Sequence, residues 1–506
     1  MTTNLKTTKS KHMIKPQKII LGMEEKPRFD YKRLFFLLLG VALFLIINYS
    51  PAWPDAIDPQ GQAFVLTPQG KGALGLFLLA ATWWIFEVLP IGITSIVIGV
   101  VQVLFFIRPA NEALKDFMDP SVWFIFASIV IGLAFSRTGL TKRMAYNVLG
   151  LVGERTSMIY LGCFGMVALL TLIMAHTAVA AASFPLLMTI YSLYDPENKQ
   201  TKFGKGLFIG MAYVAGAGSI ITLLGSARAA VAIGFFKQMA GREIGFFELT
   251  YYLAPVGLSM VAIIWLSAMF FFKPEQSRIP GLMDRVAMLK RNLGPMSKNE
   301  ILTLILVFSA ILVLSLQSFV PAFHSLHKSA VLLLTTIGFF ILKILDVKDL
   351  EEIPWNIILL FGGAMCIGYC LWDSGAAKWL AVNWLSMFKD AHWFIFVMAI
   401  SLFVLVMTNL IMNVAAISIV LPVALVIAQY LGVSPEVIFY SSLVTAGMPF
   451  ILLVGAAPNA IAYESKQFSS GEFLKSGVPM SIMLLIVLAV FVTVIWPIMG
   501  MPVLGK

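Results

Sequence analysis

A chain of 506 residues that is 59% hydrophobic and 12% charged, with a mean hydropathy of +0.90, is too apolar to be a soluble globular protein, in which about a quarter of the residues carry charge. It reads as an all-α polytopic membrane protein. The net charge of +10 does not indicate nucleic acid, because the basic residues sit in alternate connecting segments. The three cysteines, Cys163, Cys366 and Cys370, lie in apolar segments and make neither a disulfide framework nor a thiolate metal site.

The first 33 residues hold nine Lys/Arg and form a basic tail. No cleavable signal peptide precedes the first apolar segment, 34–50, which therefore directs insertion itself. Segments long enough to cross a bilayer follow at 72–89, 92–107, 121–138, 206–238, 250–272, 300–320, 328–346, 355–372, 435–465 and 478–499, about eleven in all. Two others, 157–193 and 392–430, are too long for one span and too short for two with a loop. They suit re-entrant helical hairpins, the first opening inward and the second outward. Lys/Arg recur in 137–155, 199–205 and 273–298, whereas 51–71, 108–119 and 237–248 mix both signs. The positive-inside rule then places the N-terminus and the linker 273–299 in the cytoplasm and the C-terminus outside. The expected location is the inner plasma membrane of a prokaryote, and the basic tail can also touch anionic membrane lipid.

A repeat organises the spans. "IGLAFSRTGL" from Ile131 matches "IGYCLWDSGA" from Ile367 at an offset of 236; "HTAVAAASFPLL" from His176 matches "NVAAISIVLPVA" from Asn413 at 237; "GSARAAVA" from Gly225 matches "GAAPNAIA" from Gly455 at 230. The chain divides into halves 34–272 and 300–506 that cross the membrane in opposite senses. Inverted repeats with interrupted helices in matching places point to a transporter's midplane binding site. The hairpin tips fall at "MAHTAVA" and "IMNVAAI", and the breaks fall at Gly225 and at Gly455 to Asn459. Unwound helix ends there present free N–H groups and a positive dipole end, which suits an anion.

"ATWWIFEVLPIGITS" (Ala81 to Ser95), "SRTGLTKRMA" (Ser136 to Ala145), "WNIILLFGGAMCIGYCLWDSG" (Trp355 to Gly375) and "GAAPNAIAYESKQFSSGEFLKSGVP" (Gly455 to Pro479) resemble the divalent anion/sodium symporter family over nearly all of residues 72–499. The resemblance implies a homodimeric elevator-type carrier of di- and tricarboxylates or sulfate. At the hairpin tips and breaks that the resemblance marks as the binding region, the candidate substrate contacts in this chain are His176, Thr177, Gly225, Ser226, Arg228, Asn413, Gly455 and Asn459. Glu87 matches the family pattern too, with no evident chemistry. Family hairpin tips usually read Ser-Asn-Thr and family breaks Gly-Thr-Pro-Pro-Asn; here the tips are Ala175-His176-Thr177 and Met412-Asn413-Val414, and the first break is Gly225-Ser226-Ala227-Arg228. Sodium wants oxygen ligands, so methionine, valine and alanine replace them poorly and a cation repels the ion.

Arg228 is expected to stand in for the diffusible sodium. An arginine at a helix centre costs roughly 2.5–3.5 kcal/mol to insert and can grip a carboxylate bidentately, while His176 can add hydrogen bonds and proton sensitivity. A carrier that keeps its cation favours exchange of C4 to C6 di- or tricarboxylates such as succinate, malate, 2-oxoglutarate or citrate. The competing reading is a sodium- or proton-coupled symporter of dicarboxylate or sulfate that uses backbone carbonyls. Blander roles also stand: Arg228 paired with an acid or snorkelling, His176 merely packed, Asn413 and Asn459 as helix caps. No nucleophile–base pattern, selectivity-filter repeat, phosphate-cradling loop, metal cluster or cofactor motif occurs in the spans.

Overall fold

The computed structural model of the chain describes residues 31–57, 62–317, 319–388 and 392–504, with backbone alone at 385–388. Most of the basic tail lies outside the described residues. Helices dominate, beginning with α1 (Tyr31–Asn48), α2 (Pro68–Ile85), α3 (Ile91–Leu104), α4 (Ala110–Lys115), α5 (Pro120–Thr138) and α6 (Leu140–Leu149). The first hairpin is α7 (Thr156–Thr171) and α8 (His176–Tyr194), and the first broken helix is α9 (Lys202–Ser219) and α10 (Ala227–Ala240). After α11 (Phe246–Phe271), the linker carries α12 (Leu282–Leu293). The second half continues with α13 (Lys298–Leu316), α14 (Lys328–Ile341), α15 (Val347–Glu351), α16 (Trp355–Asp373) and α17 (Ala376–Phe388). It ends with the second hairpin α18 (Trp393–Leu410) and α19 (Asn413–Tyr430), the second broken helix α20 (Pro435–Ala446) and α21 (Ala457–Tyr463), then α22 (Ser470–Val490) and α23 (Trp496–Ile498). A two-residue antiparallel ribbon pairs Ala56–Ile57 with Ala63–Phe64.

Among the described residues nine helical stretches are long and apolar enough to cross a membrane. The segments 206–238 and 435–465 are each two helices rather than one continuous span, because Gly225 and Pro458 fall within or beside their breaks. The amphipathic α6 and α12 and the helix α17 were not anticipated; polar residues interrupt their apolar runs, and charge alone marked 273–299 as a simple linker.

Local signals set the ends. Thr67 accepts from Gly70 N (3.0 Å) and Pro68 opens α2; Asp119 accepts from Ser121 N (2.7 Å), Pro120 opens α5, and Gly139 at φ 87° closes it. Capping boxes start α13 (Ser297, Glu300) and α22 (Ser469, Glu472). Internal prolines fall at the tenth residue of α8 and α19 (Pro185, Pro422), and at the tenth of α11 and α22 (Pro255, Pro479). The repeat therefore extends to matching helix distortions.

The halves interlock. α3 packs on α16 and α14 on α5, while α10 packs on α19 and α21 on α8; each half hands an element to its counterpart, as two related halves do. α9, α19 and α20 are buried on nearly every face, and small residues along α9 allow close helix approach. Exposed apolar residues such as Ile305, Leu312, Leu334, Ile341 and Phe270 face outward, as lipid contact requires.

Polar anchors sit at the helix ends. Arg143 holds Glu300 at 2.6 Å, and Lys205 pairs with Glu472. In the α10–α11 corner, Glu243 accepts from Lys328 Nζ (2.7 Å) and Lys237 Nζ (2.8 Å). Burial raises the Glu243 pKa, but the two lysines outweigh it and hold the carboxyl down at about 2, against an ordinary 4.5. Its stabilising contribution is therefore complete above about pH 4.5 and is lost as pH falls toward 2. The gap in Tm between the parent and Glu243→Gln, followed in detergent, should narrow across that window; a constant gap would show that the carboxylate adds nothing.

Candidate functional site

Both hairpin tips and both helix breaks meet at one cavity of about 530 Å³. It is lined by the first tip (Met174 to Ala178), the start of α10 (Ala227, Arg228), the second tip (Met412 to Val414), the start of α21 (Ala456, Ala457), one face of α5 and the start of α16. Three long helices therefore aim their N-termini at it: α8 starts at His176, α10 at Ala227 and α19 at Asn413. None has a side-chain cap. Their N-cap residues, Ala175, Ser226 and Met412, accept no N–H, in contrast to the capped starts of α2, α9, α13 and α22. Uncapped N-termini leave donors free and add a positive dipole end, a ready anion site.

The side chains have the same sense. Arg228 Nε, His176 Nδ1 and Asn413 Nδ2 are buried with no hydrogen-bond partner among the described residues, and all three residues line the cavity. Buried polar atoms left without a partner are costly, and Arg228 and Asn413 each keep an unused N–H donor beside this space.

Arg228 has a second surrounding behind the cavity. It is 1% exposed, and Nη2 donates to Ser219 Oγ at 3.0 Å. Ser219 is the last residue of α9, and Gly447, which caps the C-terminus of α20, also lies against the guanidinium: a Cβ there would fall 3.0 Å from Cζ. The two C-termini touch, since a Cβ on Gly216 would lie 2.8 Å from the Gly447 carbonyl oxygen. C-terminal helix ends carry partial negative charge and suit a cation. Among the described residues no carboxylate pairs with Arg228. The other deeply buried arginine, Arg108, shows what pairing looks like here, with Asp116 at 2.6 Å and Asp373 at 2.7 Å.

The remaining residues singled out from the sequence divide. Thr177 lines the cavity. Gly225, Ser226, Gly455 and Asn459 do not. Gly225 packs its backbone on the Thr171 carbonyl, and a Cβ on Gly455 would meet Pro449 Cβ at 2.7 Å and Thr408 O at 3.0 Å, so both allow a break to lie against its hairpin. Ser226 is the N-cap position of α10 and is buried. Asn459 spends its amide on Pro449 O (2.8 Å) and Leu452 O (3.1 Å), stapling the second break. Glu87, at φ 46°, lines a separate crevice of about 220 Å³ on the flank of the Met412 tip.

Several participants gave little sign in the sequence. Asn409 Oδ1 accepts from Ile451 N (2.8 Å) and Leu452 N (3.1 Å), Thr408 Oγ1 donates to Ala446 O (2.9 Å), Thr222 Oγ1 to Leu172 O (2.7 Å) and Ser128 Oγ to Leu224 O (2.8 Å). Asn409 could have been found as a buried amide in an apolar helix. Ser219 and Gly447 carry no such mark.

Residues 31–502 match the family described as Sodium:sulfate symporter transmembrane region. A protein of Staphylococcus aureus named Sodium-dependent dicarboxylate transporter SdcS is 25% identical over 496 residues, covering 94% of this chain and 93% of its own. Two solved structures share the fold. The Alcanivorax borkumensis YdaH transporter has a TM-score of 0.57 at 15% identity, covering 94% of this chain and 99% of its own. Neisseria gonorrhoeae MtrF has 0.56 at 11%, covering 91% and 93%.

Proposed function

The chain belongs to the sodium:sulfate symporter family, and within it we propose that this protein is a sodium-independent exchanger of C4 to C6 di- and tricarboxylates such as succinate, malate, 2-oxoglutarate and citrate. It is a multi-pass membrane transporter of the dicarboxylate/sulfate family and not an enzyme. The name of the staphylococcal relative supports the dicarboxylate class. Its sodium dependence is where this chain departs.

One observation carries the reading: a buried guanidinium lies between the C-terminal ends of α9 and α20 and has no carboxylate partner among the described residues. A cation is already present where related carriers would need to recruit one. A second set of observations agrees, because backbone carbonyls around both breaks are engaged by side chains, Leu172 O by Thr222, Leu224 O by Ser128, Ala446 O by Thr408, and Pro449 O and Leu452 O by Asn459. Fewer oxygens are left to hold sodium.

In this mechanism the substrate carboxylate docks at the N-termini of α8, α10 and α19 and neutralises Arg228. His176, Thr177 and Asn413 supply the orienting hydrogen bonds. The hairpins and broken helices then move as an elevator against α1–α5 and α13–α16, in a homodimer with a cytoplasmic N-terminus in the plasma membrane. An empty moving body carries an unpaired charge, which is costly in apolar surroundings, so it returns only after loading a second anion. Purified protein in sodium-free liposomes should take up labelled succinate only when the vesicles are preloaded with an unlabelled dicarboxylate. Equal uptake into empty vesicles would reject exchange.

A further inference from the structure

Among the described residues, the buried unpartnered side-chain atoms of the cavity lie on α8, α10 and α19, whereas the facing wall from α5 and α16 is mainly apolar, with Ile129 and Leu133 on one helix and Ile357 and Phe361 on the other. Of the hydroxyls on that wall, Ser128 is spent on Leu224 O, and Ser136, near the end of α5, adds a neutral hydroxyl and no charge. Met412 and Val414 extend the apolar surface across the second tip. The charged grip is thus one-sided, and at about 530 Å³ the space is in the range of pockets that enclose ligands larger than a four-carbon acid, about 300–1,000 Å³.

From this distribution we infer that the site binds dicarboxylates bearing an apolar substituent, a branched alkyl or aryl group, in preference to unsubstituted ones. The inference rests on the exchanger reading and deepens it. One carboxylate meets Arg228 and His176, the other meets the Asn413 amide, and the substituent lies on Ile357 and Phe361. A polar tricarboxylate such as citrate would instead leave its third carboxylate on that apolar wall without a donor.

The test uses sodium-free counterflow of labelled succinate, with benzylsuccinate, succinate and citrate as unlabelled competitors. Benzylsuccinate should compete at a concentration at least about tenfold lower than succinate, the size of effect a filled apolar pocket gives, and citrate should compete worst. Phe361→Ser or, separately, Ile357→Ser should shrink the benzylsuccinate-to-succinate affinity ratio. Succinate competing as well as benzylsuccinate overturns the inference and leaves exchange standing. If no dicarboxylate drives counterflow, the exchanger reading has failed. The affinity order is then read from the rise in Tm of the purified protein with each ligand, where benzylsuccinate must still act at the lower concentration for the inference to hold.

Discussion

Arg228→Ala abolishes exchange while leaving the empty protein at least as stable as the parent. Truncating one side of a buried charge contact costs about 2–5 kcal/mol, so substrate affinity should fall by about 30- to 4,000-fold at 1.4 kcal/mol per decade. The stability half of the prediction separates a binding role from a structural one. Arg228 makes one side-chain hydrogen bond, to Ser219, and no ion pair among the described residues. Removing a buried cation that lacks a counter-charge is neutral or stabilising, whereas Arg108→Ala would strand Asp116 and Asp373 and lower Tm. Arg228→Lys keeps the charge without the planar fork and should bind at an intermediate level. A Tm that drops sharply in Arg228→Ala, together with retained exchange, would make the residue a structural one.

Gly447→Ala should cut exchange by more than tenfold with a loss of stability of about 1–3 kcal/mol. Gly447 has φ −73°, so the backbone does not require glycine. The space does: a Cβ would meet Nη2 of Arg228 and come within 3.0 Å of its Cζ and 2.5 Å of Ile220 Cγ2. Overpacking of this kind costs about 1–3 kcal/mol, and the yielding partner is the guanidinium, which must leave the C-terminal ends of α9 and α20. Gly165→Ala is the control, because nothing lies within 4 Å of its Cβ; exchange should be unchanged and helix propensity should improve. Equal exchange by Gly447→Ala and Gly165→Ala would mean that the position of the guanidinium does not matter.

How much of this was readable from the chain depends on the range of the interaction. Both hairpins were legible because their length is itself the signal: 157–193 and 392–430 became α7–α8 over Thr156–Tyr194 and α18–α19 over Trp393–Tyr430. The breaks were legible from glycine and proline. Arg228 was conspicuous because an arginine inside an apolar run must be accounted for. The surroundings of Arg228 were not, since Ser219 and Gly447 lie in different halves and meet only when two helix ends converge. Asn459 was read as a substrate contact from its place in the motif, yet its amide closes on Pro449 and Leu452, a geometry set by how the loop folds back. The missing caps at Ala175 and Met412 looked like lost sodium ligands. In the fold the same replacements also leave helix N–H groups open toward the cavity.

The fixed-cation account is tested most directly by repeating dicarboxylate counterflow with sodium absent, present on both sides, and present as an inward gradient, at constant ionic strength. The account predicts one rate in all three conditions, lost in Arg228→Ala. A rate that rises with sodium, or uptake driven by the gradient alone, would contradict it.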